Sequence, residues 1–226
     1  MELRGYSSDP QKCFDYENAF YWFSEVNRIA KQIAHFELYK RTIGIPGDIL
    51  EFGVFKGSSL IKIATFREIL EYSDSRKIVG FDTFKEFPVT EEASEDDKKC
   101  ANTFHATQGG LPLEVNSLKQ IFDLKGFKNI NLIQGNLIET LPIYLKNNPH
   151  TRISFLHIDV DLYKPTLFVM EKLWDRVSSG GVIMLDDYPD VEGATNAIDD
   201  FLEMNKIEIK VQKTKYYFNP SFIVKP

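Results

Sequence analysis

Apolar positions along the chain change period in a regular way. From Trp22 to Tyr39 they recur at helical spacing (Trp22, Val26, Ile29, Ile33, Phe36), which predicts one amphipathic helix. After Pro46-Gly47, short apolar runs alternate with helical stretches. The pattern predicts a strand over Asp48–Phe52, a helix over Ser58–Leu70, a strand over Lys77–Phe81 and a helix over Leu113–Phe122. Strands follow over Ile130–Gln134 and Arg152–Ile158, then a helix over Pro165–Val177, a strand over Val182–Leu185 and a helix over Ala194–Met204. Repeated strand–helix units of this kind imply an α/β fold with a mostly parallel sheet covered by helices on both faces. The last two runs, Ile207–Lys213 and Ser221–Val224, flank a turn at Asn219-Pro220 and read as a C-terminal antiparallel hairpin.

These elements divide the chain into a helical segment over residues 1–46, which caps the sheet or pairs two subunits, and one α/β domain over residues 47–226. Between Glu86 and Gly110 lies a polar stretch too long for an ordinary connection, and it reads as a lid loop or as a solvated acidic insert. At 226 residues and 43% hydrophobic content the chain is long enough to bury one sizeable core. A net charge of −6 excludes a large nucleic-acid footprint, which relies on clustered Lys and Arg. The two cysteines, Cys13 and Cys100, form no metal or disulfide pattern and suit a reducing cytosol. No apolar run approaches the roughly 20 residues of a membrane span and no signal-peptide core is visible, so a soluble, cytoplasmic protein is expected.

Acid marks the end of two apolar runs: Asp159 and Asp161 in His157-Ile158-Asp159-Val160-Asp161-Leu162-Tyr163, and Asp186-Asp187 before Tyr188. Neighbouring strands lie about 5 Å apart, and two carboxylates at 4 Å repel by about 4 kcal/mol at an effective dielectric of 20. A hard cation such as Mg, Ca or Mn relieves that repulsion, because oxygen ligands without Cys or paired His favour it over zinc. His157 shares strand parity with Asp159 and Asp161, and is either a core residue or a neighbour of the site. His105, within the polar stretch, is expected to be solvated. Tyr163 and Tyr188 follow the two acid pairs and either wall a pocket or pack.

The first strand runs through Glu51-Phe52-Gly53-Val54 into Gly57-Ser58-Ser59 and a helix, a glycine turn where a ligand can approach backbone. It lacks the complete glycine patterns of dinucleotide folds and P-loops, which argues against NAD binding and ATP hydrolysis. Asp82 ends the second strand, where an acid takes the ribose hydroxyls of a nucleoside. Gln134-Gly135-Asn136 closes the third, beside an adenine or simply as turn formers.

Five ordered motifs resemble the macrocin O-methyltransferase type of class I S-adenosylmethionine-dependent methyltransferases. They are the glycine turn just described, Asp82-Thr83-Phe84-Lys85-Glu86-Phe87-Pro88, Gly135-Asn136-Leu137-Ile138-Glu139-Thr140-Leu141-Pro142, the His157–Tyr163 segment, and Gly180-Gly181-Val182-Ile183-Met184-Leu185-Asp186-Asp187-Tyr188. The resemblance covers about Gly47 to Leu202 and departs from the family pattern at Glu86 and at Ala194-Thr195. It implies a Rossmann-like fold, S-adenosylmethionine lined by Glu51, Gly53, Ser59 and Asp82, a magnesium ion on Asp159, Asp186 and Asp187, and Asp161 as general base. It also implies a sugar or sugar-conjugate acceptor. The rival readings are a metal-dependent enzyme acting on a catechol and a catalytically idle nucleotide-binding domain. A homo-oligomer held by the aromatic N-terminal segment is a further expectation.

Overall fold

The computed structural model describes residues 1–3, 6–85, 94–107, 110–216 and 220–226, with residues 105–107 described by backbone alone. A short ribbon, β1 (Glu2–Leu3) with β2 (Tyr6–Ser7), precedes helices α1 (Cys13–Phe23) and α2 (Val26–Arg41). The single helix expected over Trp22–Tyr39 is therefore two. Ser24 and Glu25 adopt extended backbone, and the Glu25 carbonyl starts the second helix by accepting from Arg28 N. α1 buries none of its residues, whereas α2 seats Ala34, His35, Leu38 and Tyr39 against the sheet.

The main sheet then forms in the order predicted. Its strands are β3 (Asp48–Phe52), β4 (Ile78–Asp82), β5 (Ile130–Gln134), β6 (Ile153–Ile158), β7 (Val177–Leu185), β8 (Gln212–Lys213) and β9 (Ser221–Val224). The helices are α3 (Ser58–Leu70), α4 (Glu95–Thr107), α5 (Val115–Leu124), α6 (Leu137–Asn147), α7 (Tyr163–Leu173) and α8 (Glu192–Met204). The spatial order is β5-β4-β3-β6-β7-β9-β8, parallel from β5 through β7, with β9 antiparallel to both β7 and β8. The hairpin expected at the C-terminus is present and continues the sheet.

Strand alternation sorts the core into two layers. Leu50, Phe52, Leu156, Ile158, Ile183 and Leu185 face one side with Val169, Met170, Ile198 and Phe201 of α7 and α8. Ile49, Phe155, Val182 and Met184 face the other with Leu38, Tyr39, Leu60, Ile63 and Leu118 of α2, α3 and α5. Glu51 and His157 have the parity of this second layer, so two fully buried polar side chains lie under α2. Chain direction reverses its progress across the sheet between β3 and β6, the switch point where ligands of open α/β sheets bind.

Several boundaries differ from expectation. The polar stretch is no continuous loop, since Glu95–Thr107 is helical, with three acids in its first turn complementing the helix dipole. Residues 86–93 and 108–109 of the expected lid, and the Asn219 turn position, lie outside the described residues, as does the side chain of His105. α6 was not expected, because Pro142 interrupts its pattern; Asn136 caps it by accepting from Ile138 N. β7 begins at Val177 rather than Val182, its polar Ser178–Gly181 stretch hiding a register shift against β6. The strand expected over Ile207–Lys213 shrinks to β8 because Ile207, Ile209 and Val211 pack on the core.

Candidate active site

β3 and β6 meet with no slack at their C-terminal ends. Gly53 has φ +89°, and a Cβ there would lie 1.7 Å from the Asp159 carbonyl oxygen. Only glycine lets the turn pass over the neighbouring strand. Phe52 O accepts from Asp159 N, and Ile158 O accepts from Asp186 N, so one ladder sets the heights of both acid pairs. Beyond the ladder Asp161 takes a positive φ of 59° and its backbone N–H donates to Asp187 Oδ2 at 2.9 Å.

A cavity of about 980 Å³ opens over this edge. Gly53, Ser59, Asp82, Gly135, Asn136, Asp159, Asp161, Asp186 and Asp187 all line it, as does Tyr163. Ser94, Asp97 and Phe104 of the α4 region contribute to its wall. Glu51 and Gln134 are not among its lining residues. Glu51 is fully buried behind Ser59, whose Oγ donates to Glu51 Oε1 at 2.8 Å, and Gln134 is exposed beside Thr83. Tyr188 also lies off the cavity, its hydroxyl donating to Asp199. The Asp82 carboxylate accepts from Val54 N, Phe55 N and Phe84 N, tying the end of β4 to the glycine turn. The Thr83 hydroxyl adds a longer contact, its Oγ1 donating to Asp82 Oδ1 at 3.4 Å.

The four aspartates form two overlapping groups. Ligand atoms of Asp159, Asp161 and Asp187 lie within 4.8 Å of one another, and so do those of His157, Asp159 and Asp186. Burial, followed by the charges of neighbouring acids, holds the Asp159 and Asp187 carboxyls well above the ordinary range and pushes Asp161 up to about 7. Asp159 shares this environment although its side chain is 31% exposed toward the cavity. Asp186 goes the other way. Burial would raise it, but contacts with His157, His35 and Lys31 hold it well below the carboxylate range.

Those contacts were not foreseen. Lys31 Nζ donates to Asp186 Oδ2 at 2.5 Å, while His35 Nε2 and His157 Nε2 approach Asp186 Oδ1 at 3.6 and 3.5 Å. Asp186 Oδ1 has no hydrogen bond among the described residues. His157 lies beneath the acids rather than in the cavity, with Nδ1 3.3 Å from Glu51 Oε2. Its burial is outweighed by Asp186 and Glu51, which push its pKa up to about 10, whereas burial pushes His35 down to about 3. The sequence did carry a signal: Arg28, Lys31 and His35 recur at intervals of three and four, a polar stripe on the helix read only through its apolar face.

The donor set fits a hard divalent cation. Asp159, Asp161 and Asp187 offer carboxylate oxygens alone, which suits such an ion, whereas Asp186 groups with Asp159 and His157 and not with Asp187, so the expected set of Asp159, Asp186 and Asp187 is not brought together as one. Among the described residues no helix is long and apolar enough to cross a membrane.

The family profile described as Macrocin-O-methyltransferase (TylF) matches residues 28–218. The chain is 28% identical over 163 residues to the 8-demethyl-8-(2,3-dimethoxy-alpha-L-rhamnosyl)-tetracenomycin-C 4'-O-methyltransferase of Streptomyces olivaceus, covering 70% of this chain and 59% of that protein. It is 27% identical over 148 residues to the mycinamicin III 3''-O-methyltransferase of Micromonospora griseorubida, covering 64% and 56%. The chain thus spans less than two thirds of the length of these relatives. A calicheamicin methyltransferase crystal structure superposes with a TM-score of 0.77 at 26% identity, covering 96% of this chain and 87% of the other. The O-methyltransferase NovP shares the fold, with a TM-score of 0.75 at 22% identity, covering 87% and 80%.

Proposed function

We propose, for a chain that belongs to the macrocin O-methyltransferase family, that it transfers a methyl group from S-adenosylmethionine to a hydroxyl of a sugar or sugar conjugate with the help of a magnesium ion. The observation that carries this reading is the set of acids at the tips of β6 and β7, opening into the same cavity as the glycine turn of β3. Relatives named for methylation of a rhamnosyl group and of mycinamicin III support a glycoside acceptor.

Methyl transfer from a sulfonium has a good leaving group, so the enzyme's task is to align and activate the acceptor oxygen. Gly53 leaves backbone open to the donor, Ser59 offers a hydroxyl anchored on Glu51, and Asp82, Gly135 and Asn136 border the nucleoside. Asp159 and Asp187 would hold the ion, with Asp186 joining through the Oδ1 that now faces His35 and His157. When bound, the ion lowers the cost of forming an alkoxide from an alcohol. Asp161 takes the acceptor proton from the edge of the same cavity. Val160, Leu162 and Leu167 give the cavity apolar walls that limit water near the reacting centre.

The test is methyl transfer measured on a panel of glycosides and catechols, with magnesium and after chelation. Transfer to glycosides that vanishes on chelation and returns with magnesium is the expected result. Undiminished transfer after chelation would overturn the metal role, and transfer to catechols alone would overturn the acceptor class.

A further inference from the structure

Two acids from different elements hold the turn that carries Asp161. Asp187 Oδ2, at the end of β7, accepts from Asp161 N at 2.9 Å, and Leu162 N closes back on Val160 O. Asp97 of α4 takes the other end, where Tyr163 N donates to both of its carboxylate oxygens at 3.4 Å. Tyr163 is the first residue of α7, and the capping residue before it, Leu162, has no side-chain oxygen to offer that N–H. An acid near a helix N-terminus is also favoured by the helix dipole.

The seat of Asp97 is built to fit. Asp97 is only 5% exposed, a depth at which a carboxylate needs donors. Its own N–H donates to Ser94 Oγ, which fixes the first turn of α4. Gly193, in the first turn of α8, leaves room for it: a Cβ there would lie 2.3 Å from Asp97 Oδ1 and 3.0 Å from Tyr163 N. Cys100, one turn further along α4, feels the acid cluster directly, since burial first and then Asp161, Asp187 and Asp97 push its thiol up to about 11. We infer that Asp97 is a positioning residue for methyl transfer, pinning the Asp161–Tyr163 turn from α4 and so fixing where Asp161 meets the acceptor. The inference rests on the reading above in which Asp161 is the base. Asp97 also lines the cavity, so direct hydrogen bonding to the acceptor is the competing role.

Amide hydrogen exchange and methyl transfer by the full chain test it. Asp97→Ala is expected to lose exchange protection at the Tyr163 N–H, and Asp97→Asn, which keeps an acceptor oxygen, to retain it. With magnesium present, Asp97→Ala is expected to lower kcat by about tenfold to a hundredfold with acceptor KM unchanged, as for a small misplacement of a reacting group, and Asp97→Asn to recover most of the loss. Gly193→Ala is expected to imitate Asp97→Ala in both measurements. Made in Asp161→Asn, Asp97→Ala is expected to cost nothing further, because no base remains to be placed. An equal loss in that background, or unchanged protection at Tyr163, would overturn the inference. So would a raised acceptor KM with kcat intact, which would give Asp97 to acceptor binding. Absence of methyl transfer by the unsubstituted protein would remove the reading on which the inference rests, whereas lost protection with undiminished turnover would remove the inference alone.

Discussion

Asp161 is a side chain whose environment and role can be separated by one substitution. In the absence of an ion its carboxyl is pushed up to about 7 by burial and then by Asp159 and Asp186. Asp161→Asn keeps the shape and removes the proposed base. Turnover is expected to drop by about 10² or more, with S-adenosylhomocysteine and magnesium affinities retained in calorimetry. Unchanged turnover would place the base elsewhere. Asp82 shows the opposite case, an acid whose oxygens already hold three backbone N–H groups and thus fix the floor before any ligand arrives.

At the scale of elements, the glycine turn is the least forgiving segment. A methyl group at Gly53 would meet the Asp159 carbonyl, whereas one at Gly126, also at positive φ, meets nothing within 4 Å. Gly126→Ala is therefore expected to cost only the backbone strain of about 1–2 kcal/mol. Gly53→Ala adds a backbone clash and is expected to cost clearly more in urea unfolding; equal costs would contradict the close approach. The strands around this turn were legible because continuous apolar runs ending in Gly or Asp mark buried parallel strands. The helix at α4 was not, since its Glu-Asp-Asp-Lys-Lys start has no apolar period and gains its order from position: Asp97 meets the Tyr163 backbone N–H. The acids of the site were legible as motif ends. Lys31 and His35 were not, because their importance depends on α2 lying across β6 and β7, a tertiary fact that no local pattern encodes.

For the whole molecule, the acids bring a dependence of stability on pH. Asp161 has a folded-state pKa raised above its unfolded value, so the folded chain holds the proton more tightly between about pH 4 and pH 7. Its contribution therefore falls as pH rises across that window, and Asp159 and Asp187 act in the same sense. In chelator, Asp161→Asn is expected to melt higher than the parent at pH 8 but not at pH 4, and magnesium is expected to narrow the gap. A gap independent of pH would show that repulsion among the acids is not its cause.

The contact between Gly53 and Asp159 carries a consequence for how the site can vary. Where two main chains touch, even an added methyl group is barred, so this part of the site has no room to vary. Room for a different ligand is then to be found by altering the α4 region, whose Ser94 and Phe104 wall the cavity without touching that contact.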